Sequence, residues 1–209
     1  KHIDRNRASL QIEKMVQVLL LIKFAKTMVG SEGARLLDSD GNVLVIPRDA
    51  LTQTVPVETK TVEPSTLAGI VGTDFTLLRA VDVNLTNRTL ASSAELSFPA
   101  PAGLNSALPL VVAKAIEVRG AKRLKLVALA RLSGSLITSY PFSVPSVNSV
   151  AKGIASSGTY FFLQAKSQIG FIIGTVKDGS DNPYPSALTT SSTCSLVDLT
   201  GVDLTGADG

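Results

Sequence analysis

The sequence predicts an all-β chain, an antiparallel β-sandwich with a second, incomplete sandwich unit behind it. Three observations predict this class. The 209 residues are 44% hydrophobic and 18% charged, which gives enough apolar surface for a core and too little charge for a disordered chain. Val, Leu, Ala, Ser and Thr are abundant, and Val and Thr suit pleated, half-buried strands. Short apolar runs, several of them alternating, are cut at strand length by clusters of Gly, Pro, Asn and Asp.

The elements follow in order. Residues 8–26 carry a rough helical stripe through Leu10, Met15, Leu19 and Ile22. Ile12, Val16, Val18, Leu20, Ile22 and Phe24 share parity, however, and fit an extended strand better. Such a strand either opens its own sandwich or completes the sheet edge of a neighbouring copy through backbone hydrogen bonds. Asp38-Ser-Asp-Gly41-Asn42 separates Ala34–Leu37 from Val43–Ile46, a hairpin signal, and Pro47 ends the second strand. Val55, Val57, Thr59 and Thr61 alternate, as do Leu77, Val81, Val83 and Leu85 in part, and Glu95–Phe98 leads into Pro99-Ala-Pro101. A second hairpin joins residues 108–119 to 124–132 across Gly120-Ala-Lys122. Residues 133–157 are Ser-rich and read as irregular strands around Ile137 and Phe142, and residues 158–163 (GTYFFL) form the closing strand. This spacing is that of an immunoglobulin-like sandwich. A new pattern starts at Ile169, with a strand to Val176 and a turn over 177–183. The expected organisation is an N-terminal extended segment (1–26), a sandwich (27–168) and a partial β-domain (169–209).

Composition excludes much familiar chemistry. The chain has one His (His2) and one Cys (Cys194), which leaves no internal disulfide, no multi-cysteine zinc site and no ordinary Ser-His-Asp triad. Cys194 sits between Thr193 and Ser195 with no basic neighbour to activate it. Asp38-Ser-Asp40-Gly-Asn42 and Asp178-Gly-Ser-Asp181-Asn182 offer oxygens to calcium but lack the spacing and terminal Glu of an EF-hand, so they read as turns. No acid, base and nucleophile set can be assembled, and the chain is expected to be non-enzymatic, with no cofactor and no metal site. Val16–Ile22 is too short to span a bilayer. The chain begins with Lys, which leaves room for a removed signal peptide or further domains upstream. Asn84-Leu-Thr86 and Asn87-Arg-Thr89 are glycosylation acceptor patterns. Val197-Asp-Leu-Thr-Gly201 is nearly repeated by Val202-Asp-Leu-Thr-Gly206, and two copies make no solenoid.

Residues 33–51 (GARLLDSDGNVLVIPRDAL) resemble the opening of a ZU5-type β-sandwich. The strand at 55–62, Ala94-Glu-Leu-Ser-Phe-Pro-Ala-Pro101 and Ser157-Gly-Thr-Tyr160 resemble later pieces of that family in the same order, over roughly residues 27–164. Some relatives in that family self-cleave through a His-Phe-Ser arrangement in the closing region. Here the region reads Thr159-Tyr-Phe-Phe-Leu163, so the resemblance implies no cleavage. The tail resembles the start of a carboxypeptidase-regulatory-like, or transthyretin-like, sandwich, carried by Gly174, Val176, Asp178, Gly179, Pro183 and Ala187. Its later strands are missing, and two or three strands with an open apolar face need completion from elsewhere.

Charge adds a clue to partners. The net charge is +3, yet residues 178–209 hold five Asp and no Lys or Arg, so the tail carries −5 and the remainder +8. Lys114, Arg119, Lys122, Arg123, Lys125 and Arg131 gather on the second hairpin. No aromatic residue lies between Leu104 and Leu132 to stack on a base, which argues against nucleic acid. The expectation is a secreted or cell-surface structural protein that forms a homo-oligomer or filament by strand complementation. Val16, Val18, Leu20 and Ile22 on the donor strand are candidate assembly contacts. Lys114, Arg119, Lys122 and Arg123 against Asp198, Asp203 and Asp208 are the others. The alternative is a carbohydrate-binding accessory module of a larger secreted protein, for which Tyr140, Tyr160 and Tyr184 are the available aromatic platforms.

Overall fold

The structure, a computed structural model, describes residues 27–63, 65, 70–118, 121–143, 150–151, 153–169, 177 and 179–181. The predicted donor strand with Val16, Val18, Leu20 and Ile22 lies outside the described residues, as do nearly all of the predicted 169–209 unit and its acidic tail. The described chain is all-β and antiparallel. Its strands are β1 (Thr27–Val29), β2 (Ala34–Leu37), β3 (Val43–Ile46), β4 (Val55–Thr61), β5 (Phe75–Asn84) and β6 (Thr89–Pro99). They continue with β7 (Leu110–Val118), β8 (Ala121–Ser133), β9 (Leu136–Tyr140), β10 (Phe142–Ser143), β11 (Val150–Ala151), β12 (Ile154–Ser156) and β13 (Gly158–Ala165).

The predicted sandwich is built as one hydrogen-bonded path, β1-β4-β5-β13-β7-β8-β9-β6-β3-β2, that curls into a nearly closed, barrel-like sandwich. The strand β12 adds to β6 where β9 stops, with Ile154 opposite Ala94. The β2–β3 hairpin has the limits its sequence predicts, with Leu37 opposite Val43. Gly41, at φ 82°, supplies the left-handed residue the turn requires. Two bulges sharpen the curl. Opposite β13, the partner jumps from Arg79 to Leu77 between Phe162 and Leu163. Opposite β7, it jumps from Ala128 to Leu126 between Val112 and Ala113. The turn between β5 and β6 is a tight one over Leu85–Arg88. Thr86 and Asn87 both sit at positive φ, and Arg88 N–H donates to the Leu85 carbonyl at 3.0 Å.

Alternation puts Leu44, Ile46, Val55, Val57, Val81, Val83, Leu96, Phe98, Val112, Ile137, Tyr160 and Phe162 into one interior. Phe98 and Phe162 meet edge to face, 4.9 Å between centroids. A second apolar cluster lies on the outer face of β5, β13, β7 and β8. It holds Phe75, Ala80, Val111, Ala113, Leu124, Phe161, Leu163 and Ala165, with Val62, Ile70, Val71 and Ile169 packed against it. The closing strand β13 is therefore central, between β5 and β7, and buried on both faces, which its uninterrupted Tyr-Phe-Phe-Leu run requires.

The polar turn after β2 ties the β2–β3 hairpin to β4 and β5. Asp38 Oδ1 accepts from the amides of Asp40 and Asn42, both at 2.9 Å. Its Oδ2 accepts from Asn42 Nδ2 (2.7 Å) and from Thr59 Oγ1 (3.2 Å) on β4. Asn42 is fully buried; its Nδ2 also donates to Thr61 Oγ1 at 2.9 Å, and its Oδ1 accepts from Arg79 Nη1 at 3.1 Å. The Arg79 guanidinium lies 5.1 Å from the Phe98 ring centroid, over its face. The Asp38 carboxylate is thus engaged by four donors as the centre of a turn. The second oxygen-rich turn carries the exposed pair Lys177 Nζ to Asp181 Oδ1, at 2.9 Å.

Candidate functional site

Three places carry chemistry or open surface. The first is the pair of sheet edges. Among the described residues, β1 pairs only with β4 and β2 only with β3, so each has one side without a strand partner. Val29 is buried in the core while Met28, its neighbour on β1, is 58% exposed. Leu36 packs inward while Leu37 on β2 is 60% exposed. Open edges in natural proteins are usually blunted with charge, and here Arg35 is the one charged residue on either strand.

The second is the basic hairpin β7–β8, where the pleat divides what the sequence groups together. Lys114 lies opposite Lys125 and Ile116 opposite Arg123, so Lys114, Arg123 and Lys125 share the face that continues the interior. Lys122 lies opposite Glu117 on the other face, a favourable cross-strand pair of opposite charge. Arg131 covers Tyr140, with its guanidinium 5.4 Å from the ring centroid. Arg119, Asp198, Asp203 and Asp208 lie outside the described residues. The basic residues of the hairpin are therefore divided between two faces, because a period of two sends neighbouring residues to opposite sides.

The third is a contact the sequence did not reveal. The Lys114 ammonium donates to Ser156 Oγ at 2.7 Å, between residues 42 apart in the chain. Lys114 faces Tyr160 across β7–β13, with Nζ 5.7 Å from the ring centroid. Tyr160 holds the backbone of Ser156 from both sides. Its hydroxyl donates to the Ser156 carbonyl and accepts from the Ser156 amide at 3.4 Å. Gly158, at φ 147°, leaves room for the lysine stem, since a Cβ there would collide with Lys114 Cε. Half-burial holds the Lys114 ammonium below its ordinary range, and the like charge of Lys125 opposite pushes the same way. Burial raises the Tyr160 phenol, which stays neutral while its bonds to Ser156 oppose the rise. Ser156 stands in a Ser-rich stretch and Lys114 in a basic hairpin, so neither position had a motif by which the pair could be found.

The tyrosine platforms expected of a carbohydrate-binding module fare poorly. Tyr160 is 1% exposed, Tyr140 is half-buried under Arg131, and Tyr184 lies outside the described residues. A shallow cavity of about 230 Å³ between residues 50–53 and 88–91 has no aromatic wall. Among the described residues no group of three or more His, Cys, Asp or Glu side chains is placed to hold a metal ion, and no helix is long and apolar enough to cross a membrane. No family model matches the chain, and no curated protein matches it in sequence.

Proposed function

We propose that the chain is a non-enzymatic, secreted or cell-surface assembly module, a ZU5-like sandwich joined to further copies by strand addition. The observation that carries this reading is that, among the described residues, β1 and β2 at the two ends of the sheet each have one side without a strand partner and an exposed apolar side chain, Met28 or Leu37. A strand laid along β1 or β2 gains a row of backbone hydrogen bonds, and Met28 or Leu37 gives it apolar surface to cover. Because β1 and β2 are different edges, a contact between them is head-to-tail, and a head-to-tail contact that does not close generates a fibre. The alternating apolar positions Val16, Val18, Leu20 and Ile22 are the donor face in this reading, and the aspartates at 198, 203 and 208 set orientation against the basic hairpin.

Deleting residues 1–24 tests it. The expected result is a fall from oligomer to single chains in size-exclusion chromatography, with the thermal transition of the sandwich retained. Unchanged assembly and solubility after the deletion would overturn the reading.

A further inference from the structure

We propose that Ser156 and Lys114 form a nucleophile and base pair that makes Ser156 a stoichiometric acyl acceptor. This goes beyond the assembly reading and does not depend on it. A serine hydroxyl is a weak nucleophile until a base takes its proton, and an amine within hydrogen-bond reach is one of the bases used for acyl transfer. Three contacts pre-position the pair. Tyr160 fixes the Ser156 backbone through two hydrogen bonds, Gly158 seats the lysine stem, and the β7–β13 register sets Lys114 opposite Tyr160, while Ser156 itself is only half-buried. Desolvation and the like charge of Lys125 both lower the Lys114 pKa, the direction a base needs. The face of the Tyr160 ring favours the ammonium and sets the opposing pull.

The step balances with an ester as the acyl donor. Ser156 Oγ adds to the ester carbonyl carbon while its proton passes to the uncharged Lys114 Nζ. The tetrahedral intermediate then expels the alkoxide, which takes that proton from Nζ. The products are an acyl ester of Ser156 and a free alcohol, with Lys114 returned to its starting form.

The test uses the full chain and a phosphonyl fluoride probe, which loses fluoride to an activated serine, with the site read by peptide mass spectrometry. One label per chain on Ser156 is expected, at a rate that rises with pH as Lys114 loses its proton. Tyr160 and Lys125 lie opposite Lys114 on β13 and β8, and Arg123 is on the same face of β8. Lys125→Met is therefore expected to move the profile to higher pH. Lys114→Arg keeps a cation and a donor but supplies no base, and is expected to slow labelling by about 100-fold or more with the melting transition retained. No label under conditions that modify a known activated serine overturns the proposal. Labelling that survives Lys114→Arg at the original rate overturns it as well.

Discussion

At the residue scale, Asn42 shows how a turn signal conceals a tertiary role. Asp38, Gly41 and the apolar runs on either side announce the hairpin, and the structure places it at those residues. The partners that make Asn42 indispensable, Thr61 and Arg79, come from strands far along the chain and have no sequence signature. Asn42→Ala leaves Thr61 and Arg79 without a buried partner, and a loss of about 2–3 kcal/mol is expected in urea denaturation. A loss below about 0.5 kcal/mol would mean that water replaces the network at no cost. Glu32 gives the pH-dependent counterpart. Its carboxylate accepts from its own amide and from the Gly30 amide, which lowers its pKa in the folded chain. A depressed carboxylate stabilises above its unfolded pKa, and that contribution disappears as pH falls through the folded value. Glu32→Gln is therefore expected to be less stable than the parent at pH 7, with the two converging in acid. Equal stability at both pH values would show that the loop forms without this charge. Lys114 and Ser156 belong to the same lesson, since their approach is a product of register and not of spacing.

At the element scale, alternation located most strands, including β4 at its full length, but it could not say which strands are covered twice. The run in β13 is the case in point. An uninterrupted apolar run signals burial on both sides, and β13 occupies the middle of the sheet with Phe161 in the outer cluster and Phe162 in the interior. Phe161→Ala is expected to cost about 3–5 kcal/mol, as much as Phe162→Ala. If Phe161→Ala is nearly neutral while Phe162→Ala is not, the outer cluster is a surface and not a second core. The same period of two divides the basic residues gathered on the second hairpin, because Lys122 and Arg123 are sequence neighbours on opposite faces. Within residues 133–157, which read as irregular, Leu136–Tyr140 is a regular strand between β8 and β6, and local pattern does not encode the change from β9 to β12 along β6.

At the scale of the whole molecule, the all-β class was legible because composition, alternation and turn residues agree. Closure was less legible. Sheet order depends on which strands find each other across the chain; the path ends at β1 and β2, and the hairpin from Ala34 to Ile46 reaches β4 and β5 through Asn42. Those two ends are where the assembly reading stands. Replacing Met28 and Leu37 with lysine places charge on both edge strands and leaves the buried Val29 and the partly buried Leu36 in place. Light scattering on the full chain over a concentration series, parent against the Met28→Lys, Leu37→Lys variant, measures the consequence directly. The expected parent mass grows with concentration, while the variant stays at the mass of one chain. A parent of single-chain mass throughout, or growth that persists unchanged in the variant, would contradict it.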